Sequence, residues 1–226
     1  MVPQYNYIQN GYSASQSAML LSRVAYLLST VLLATAGAAY LGRDLPAGTG
    51  IIFGIGALIC VFVLGMARKA TGLNLILLYA LGVLEGLSLG PLLTAYANIA
   101  GGEIISQAFA LTAATVGGIG AYIWISNKDF GFLGKFLFWA LLALLVVGFI
   151  GIFLPGMFAV AGSRLLFSVI GAAIFIGYTL YDFSNIKHRY GPDDYIIATV
   201  QVYLDFLNLF IFILQILGIM RSSDRD

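Results

Sequence analysis

Residues 195–220 read YIIATVQVYLDFLNLFIFILQILGIM and carry a single charged side chain, Asp205. A helix needs about 20 mostly apolar residues to cross the hydrocarbon core of a bilayer, so this stretch predicts a transmembrane helix. Its polar side chains share an arc of about 80° when each residue turns the helix by about 100°. Such a stripe must face protein or water, because an ionised carboxylate in mid-membrane costs on the order of 2.5 to 3.5 kcal/mol. We therefore predict that this helix is surrounded by others. The members of the stripe are Gln201, Asp205, Asn208 and Gln215.

Six more apolar stretches of similar length precede this one, separated by turns that contain charged residues, glycine or proline. Each is long enough to cross a bilayer, and the short turns leave no room for a soluble domain. The sequence therefore predicts an all-α membrane protein, a bundle of seven transmembrane helices with the seventh helix central. The predicted spans are Val24–Leu41, Ile51–Ala67, Leu73–Ala97, Ile104–Ile125, Leu133–Leu154, Leu165–Ile186 and Tyr195–Met220.

The composition excludes an ordinary soluble protein. Hydrophobic residues make up 61% of the 226 residues and charged residues only 9%, with a mean hydropathy of +0.97. A soluble domain would be roughly 25% charged. The formal net charge of +1 provides no basic surface, so nucleic acid is excluded as a partner. The one cysteine, Cys60, lies in an apolar run and is interpreted as a packing residue.

The chain divides into three predicted parts. Residues 1–22 form a polar, loosely ordered tail, residues 23–221 the membrane domain, and residues 222–226 a short C-terminal tail. Most of the basic residues fall at helix ends on the side of the N-terminus. The positive-inside rule then predicts a cytoplasmic N-terminus and a C-terminus on the other side. The basic residues on the N-terminal side are Arg23, Arg68, Lys69, Lys128, Lys135, Lys187 and Arg189.

A second intramembrane aspartate, Asp182, lies on the sixth predicted helix, about one turn before its end. Counting back about 20 residues from the C-terminal end of the seventh helix places its membrane entry near Gln201. That entry brings Asp205 to a similar depth, near the cytoplasmic face, whereas counting from the start of the apolar stretch places Asp205 deeper. Arg68 ends the second helix at the same face and is expected within reach of either carboxylate.

Two carboxylates and one arginine in a low-dielectric bundle form a pH-dependent device. If Asp182 and Asp205 share a site, repulsion and desolvation favour proton binding, while Arg68 favours the charged form. With both ionised, the pair offers hard oxygen ligands to Ca²⁺, but two carboxylates fall short of its usual set of about 6 to 8 ligands and form a weak site. The alternative is that the aspartates are separately neutralised packing residues. Intramembrane carboxylates mark function by default, which favours the shared site.

Three further polar residues are candidate pore-lining groups: Glu85 on the third helix and Gln201 and Asn208 on the seventh. Glu85 lies in the segment LEGLSLGP, residues 84–91. It either lines the ion path or hydrogen-bonds across a close glycine contact, and both interpretations stay open. His188 is interpreted as a solvated loop residue rather than a pH sensor, because no acidic or metal-binding partner lies at ligand spacing.

The motifs around both aspartates resemble those of the Bax inhibitor 1 family, including its bacterial members. The run GYTLYD at residues 177–182 ends in Asp182, and the run VYLDFLNLF at residues 202–210 contains Asp205. The segment at residues 84–91 and the basic end of the second helix are similar to that family as well. The resemblance covers all seven predicted helices and leaves out only the N-terminal tail.

This resemblance implies a seven-helix bundle whose last helix is enclosed by the other six, and a pH-sensitive leak of Ca²⁺. It implies that Asp182 and Asp205 form a proton-sensing pair that Arg68 helps to latch. Some bacterial relatives instead resemble modulators of a membrane-bound AAA protease and lack one or both aspartates. This sequence keeps both, which favours ion handling. An interaction role, with such a protease or in a stress or cell-death pathway, remains the alternative.

An enzymatic role is not expected. Two aspartates on adjacent helices superficially fit an intramembrane aspartyl protease, but the Gly-Asp setting of such enzymes is absent, since Tyr181 precedes Asp182 and Leu204 precedes Asp205. We expect a multi-pass protein of the bacterial inner membrane that needs no cofactor. Its expected partners are the lipid bilayer, Ca²⁺ and H⁺.

Overall fold

The computed structural model describes residues 14–46, 48–66, 71–126, 128–158 and 160–223, and these are almost entirely helical. The seven helices of this described part are each long and apolar enough to cross a membrane, which confirms the predicted all-α, multi-pass architecture. Two short 3-10 turns, Gly131–Leu133 and Pro155–Phe158, precede the fifth and sixth helices. The helices are α1 (Ala14–Leu41), α2 (Thr49–Met66), α3 (Thr71–Ala100), α4 (Glu103–Ser126), α5 (Gly134–Phe153), α6 (Ala161–His188) and α7 (Tyr195–Ser223).

The central helix is α7, as the polar stripe predicts. More than half of its most apolar segment is buried inside the bundle, whereas each other helix has a third or less of the corresponding segment buried. It packs mainly against α1, α3, α4 and α6, while α2 packs on α3 and α5 packs on α6. Four helices therefore make the main direct contacts of α7, and α2 and α5 form an outer layer.

Glycines on α3 allow a close helix contact, that between α1 and α3. A Cβ added at Gly86 would overlap the backbone oxygen of Thr35, and one added at Gly90 would overlap the backbone of Gly42. Membrane helices approach closely where small residues remove side-chain bulk, because lipid provides little hydrophobic drive for association. This contact fixes α3 and thereby sets the position of Glu85, the residue before Gly86.

The first helix begins earlier than the sequence analysis predicts. Residues 14–22, assigned there to the polar tail, are helical, and residues 1–13 lie outside the described residues. The physical reason is tertiary packing: Leu20 is buried, and the Ser17 hydroxyl donates a hydrogen bond of 3.1 Å to the backbone oxygen of Lys187. At the other end α7 continues to Ser223, past the predicted end of the membrane domain.

Candidate functional site

A cavity of about 720 Å³ lies between α2, α3, α5, α6 and α7. Five of the six residues assigned to the ion site and its path from the sequence line this cavity. The sixth, Arg68, lies outside the described residues. The five residues that meet here are Glu85, Asp182, Gln201, Asp205 and Asn208.

The aspartates of α6 and α7 meet in this cavity. The two helices pack along each other, and their periodicity turns both side chains toward the shared interface. The carboxyl groups of Asp182 and Asp205 lie close enough to interact directly, and the two residues expose only 3% and 4% of their surface. A hydrogen bond between two carboxyl groups requires a proton on one of them, because carboxylates are acceptors only.

Other donors satisfy this pair only in part. Asn185, one helical turn after Asp182, lies beside the Asp182 carboxyl. The buried atoms Asp182 Oδ1 and Asp205 Oδ2 receive no hydrogen bond from an amide or hydroxyl group of the described residues. Buried polar atoms normally have a partner, so each exception calls for an explanation. The pair thus keeps acceptor capacity for a proton or a cation.

Two amide side chains flank Asp205 on α7, Gln201 one turn before it and Asn208 one turn after it. The Tyr190 hydroxyl donates a hydrogen bond of 2.7 Å to Gln201 Oε1. Burial raises the pKa of the Tyr190 phenol to about 12, so this donor stays protonated. Asn208 Nδ2 donates to the backbone oxygen of Leu204 over 2.8 Å, which leaves the amide oxygen out of that bond. Both amides bring neutral oxygen atoms to the aspartate pair.

Glu85 lines the same cavity from α3 but stands apart from the aspartates. The described residues contain no group of three or more acidic, histidine or cysteine side chains that could hold a metal ion. Glu85 lies instead near Tyr203 of α7, whose hydroxyl is 2.8 Å from Thr35 Oγ1. It therefore adds a carboxyl group to the cavity without completing a three-carboxylate site.

The structure contains an ion pair beside the aspartates that the sequence does not predict, because sixty residues separate its two partners. Arg189 donates hydrogen bonds of 2.8 and 2.7 Å to the two oxygens of Asp129, and these bonds lower the pKa of Asp129 to about 2. A third hydrogen bond, of 3.2 Å, runs from Arg189 to Asn185 Oδ1. Since Asn185 also contacts Asp182, polar contacts connect the α4–α5 turn with the aspartate pair.

A second cavity, of about 300 Å³, lies nearer the C-terminal end of α7. Gly148 and Phe167 line both cavities. Arg164 lines the smaller cavity, and the Ser168 hydroxyl lies there 2.9 Å from Gln215 Oε1. The fourth member of the predicted stripe, Gln215, is thus separated from the aspartates and belongs to this second cavity.

Two further residues of interest lie outside the cavities. Cys60 is buried in α2 with its Sγ 3.2 Å from the backbone oxygen of Leu77, as expected of a packing residue. His188 is the last residue of α6 and is half-buried, so its interpretation as a solvated loop residue is wrong. The end of the helix is packed into the bundle, which buries the His188 Nε2 atom. This atom has no hydrogen-bond partner among the described residues.

Comparison with known proteins identifies relatives along most of the chain. A family model described as "Inhibitor of apoptosis-promoting Bax1" matches residues 17–222. "Bax inhibitor 1" of Schizosaccharomyces pombe is 35% identical over 75% of this chain and 61% of its own length. "Protein lifeguard 4" of Mus musculus is 34% identical over 76% of this chain and 69% of its own. An "Uncharacterized protein" of Helicobacter pylori is 39% identical over 77% of this chain and 73% of its own.

The matched region runs from α1 to the end of α7 and includes both aspartate motifs and the Glu85 segment. The chain spans less than two thirds of the length of the S. pombe protein. The family match nevertheless covers nearly all of this chain, and it confirms the resemblance predicted from the sequence. This chain belongs to the Bax inhibitor 1 family.

Proposed function

We propose that this protein forms a pH-sensitive leak pathway for Ca²⁺, controlled by Asp182 and Asp205. The observation that carries the proposal is the close approach of these two buried carboxyl groups at the wall of a cavity of about 720 Å³. Ionisable groups inside a membrane protein are costly, and they commonly mark ion or proton pathways. The seven-span architecture provides the membrane-embedded setting that such a pathway needs.

Proton occupancy would decide whether α6 and α7 are held together at this point. With one proton, the carboxyls hydrogen-bond to each other and hold the two helices together. With none, two negative charges repel, and the pair becomes a set of hard oxygen ligands for Ca²⁺. Amide oxygens of Gln201 and Asn208, together with water, would complete the coordination. A site with two carboxylates binds Ca²⁺ weakly, which suits permeation.

Other polar groups that line the cavity strengthen this switch. Glu85 adds a third carboxyl group from α3, and Tyr178 and Tyr181 add phenols from α6. Tyr190 reaches the site through Gln201. No lysine or arginine is among the described residues that line the cavity. Charge that appears on the aspartates therefore has no compensating cation from these residues, and a divalent ion from solution would supply it.

The two cavities suggest a route for the ion along the bundle. They share Phe167, whose ring lies 5.1 Å from that of Phe158 and 6.0 Å from that of Phe212, measured between ring centroids. Apolar constrictions close channels by excluding water. We assign Phe167 the role of the apolar constriction between the acidic cavity and the smaller cavity beside Arg164.

The remaining parts of the proposal come from the sequence. Arg68, two residues beyond the last described residue of α2, is proposed as the latch of the aspartate pair, by resemblance to the family. The excess of basic residues on one side supports a cytoplasmic N-terminus. Bacterial relatives, such as those of Helicobacter pylori and Vibrio cholerae, support a bacterial inner membrane as the location.

Purified protein in liposomes loaded with a Ca²⁺-sensitive dye tests the proposal. We expect a Ca²⁺ flux that changes with pH, and we expect Asp182→Asn and Asp205→Asn to remove most of that change, because an amide does not exchange the proton. Glu103→Gln is the matched control, since Glu103 is an exposed acid at the start of α4 and should leave the flux unchanged. Wild-type flux and pH response in both aspartate variants would contradict the proposal.

A second candidate is an interaction protein that acts on a membrane-bound AAA protease or in a stress or cell-death pathway. The description of the matching family model, which refers to inhibition of apoptosis-promoting Bax1, favours it. The N-terminal tail is the proposed contact, and since residues 14–22 belong to α1, the deletion that tests it is residues 1–13. We expect the deletion to abolish partner co-purification and to leave Ca²⁺ flux intact. Partners that still co-purify would exclude the tail as the contact.

A further inference from the structure

The acidic cavity opens sideways, between α2 and α5. Leu58 of α2 and Leu145 and Phe149 of α5 line it, yet these side chains are 57%, 61% and 62% exposed. The two helices pack on different neighbours, α2 on α3 and α5 on α6. The outer surface of a seven-span bundle faces lipid. The cavity is therefore open to the hydrocarbon of the bilayer along the gap between these helices.

The inner end of the same cavity is acidic and incompletely satisfied. Asp182 and Asp205 are almost fully buried there, and Asp182 Oδ1 and Asp205 Oδ2 receive no hydrogen bond from an amide or hydroxyl group of the described residues. Glu85 adds a third carboxyl group. The rings of Phe175 and Tyr178 line the wall beside them, with centroids 6.0 Å apart. Aromatic faces and carboxylates are both favourable surroundings for an ammonium group.

The apolar half of the cavity, which opens to lipid, and its acidic inner half together favour one kind of ligand. Ligand cavities in proteins measure about 300 to 1,000 Å³ and are mostly apolar with a few polar groups that fix orientation. An apolar cavity wall does not hold water well, so an alkyl chain is the natural occupant of the half that opens to lipid. The acidic end would repel a phosphate or a carboxylate and would leave a hydroxyl without charge pairing.

We propose that the cavity binds a single-chain amphiphile with an ammonium head group, which enters from the bilayer between α2 and α5. The chain lies against Leu58, Leu145 and Phe149, and the ammonium group reaches Asp182 and Asp205. This inference deepens the proposed function, because the ammonium group occupies the site assigned to Ca²⁺. Such a molecule would block the pathway while closing the lateral opening.

Photolabelling of the purified full-length protein in phosphatidylcholine nanodiscs tests this inference without measuring Ca²⁺. The probe is a dodecylamine that carries a photoreactive diazirine on its chain, and mass spectrometry locates the labelled residues. We expect saturable labelling of α2 and α5 around Leu58 and Leu145. Dodecylamine should displace the probe at least about tenfold better than dodecanol or dodecylphosphocholine of the same chain length. Equal displacement by all three compounds, or labelling that does not saturate, overturns the inference.

Variants separate the two halves of the site. Leu145→Trp fills the apolar half and Asp205→Asn removes charge from the acidic half, and each should lower specific labelling at least about tenfold. Leu166→Trp is the matched control, because Leu166 of α6 is as exposed as Leu145, at 61%, but does not line the cavity. It should label like the wild type. Labelling that persists in both cavity variants overturns the inference, and Leu145→Trp decides the matter if Asp205→Asn fails to fold.

The two proposals fail separately. Ca²⁺ flux in amine-free liposomes that does not depend on the aspartates would sink the proposed function, while saturable amine labelling that needs Asp205 would keep the amphiphile site. Flux that depends on the aspartates, combined with displacement by dodecanol as good as by dodecylamine, would keep the proposed function and sink the amphiphile site.

Discussion

The carboxyl group of Asp182 on α6 contacts that of Asp205 on α7, and no lysine or arginine is among the described residues that line the cavity around them. Two like charges about 4 Å apart repel by on the order of 4 kcal/mol at the effective dielectric constant of partly buried sites. That energy is comparable to a large part of the stability of a small domain. On the proposed function, a single proton at this contact therefore controls how α6 and α7 pack.

Phe167 is predicted to restrict ion flow between the two cavities. Phe167→Ala removes the ring that lines both of them, and we expect a several-fold rise in Ca²⁺ flux in dye-loaded liposomes, because the apolar constriction becomes wide enough for water. Phe136→Ala is the control, since Phe136 lies on α5 with 70% of its surface exposed. A flux no higher in Phe167→Ala than in Phe136→Ala would exclude Phe167 as the constriction.

The Asp129–Arg189 ion pair is predicted to add stability above about pH 4. The folded pKa of Asp129 is about 2, below the usual value of about 3.9 in an unfolded chain, so its contribution is present above the unfolded pKa and is lost as the pH falls toward 2. Both side chains are partly exposed, so solvent screening limits this contribution to about 1 kcal/mol or less. Thermal unfolding in detergent checks it: Asp129→Asn should lower the melting temperature at pH 6, and the difference from wild type should shrink toward pH 2. A difference that is constant across this range would contradict the assignment.

The α1–α3 contact is predicted to be intolerant of a single methyl group. Gly86→Ala places a Cβ against the backbone oxygen of Thr35, and we expect a loss of about 1 to 3 kcal/mol of stability, because backbone cannot move aside as a flexible side chain can. Gly37→Ala in α1 is the matched control, since a Cβ there meets nothing within 4 Å. It should be neutral or slightly stabilising, as alanine favours a helix. Equal melting temperatures for the two variants would show that this contact is looser than the structure indicates.

Much of the fold follows from two local rules, the length of a bilayer-spanning helix and the helical period. These rules predict the seven spans and the central position of α7, because the stripe from Gln201 to Gln215 lies in one short arc. They also place Asp182 and Asp205 on inward faces, which the structure brings into one cavity. The two rules do not predict where α1 begins, because its first residues are held by contacts with distant parts of the chain, such as that of Ser17 with the far end of α6.

The remaining features depend on packing between distant segments. Arg189 and Asp129 meet only because the α4–α5 turn and the end of α6 lie at the same end of the bundle. Glu85 could not be assigned from its own surroundings in sequence, since the same segment contains the glycine that contacts α1 and the acid that lines the cavity. The lateral opening is set by the separate packing partners of α2 and α5, and a pattern along one helix carries no information on that separation.

Structures of the protein in lipid nanodiscs at about pH 5 and about pH 8 test the central claim most directly, because this range includes the shifted values found for interacting buried carboxyl groups. The measured quantity is the distance between the carboxyl oxygens of Asp182 and Asp205. We predict hydrogen-bonding contact at the lower pH and separation of the two groups, with α6 and α7 displaced from each other, at the higher pH. The same contact at both pH values would contradict the claim that proton occupancy of this pair controls the helices.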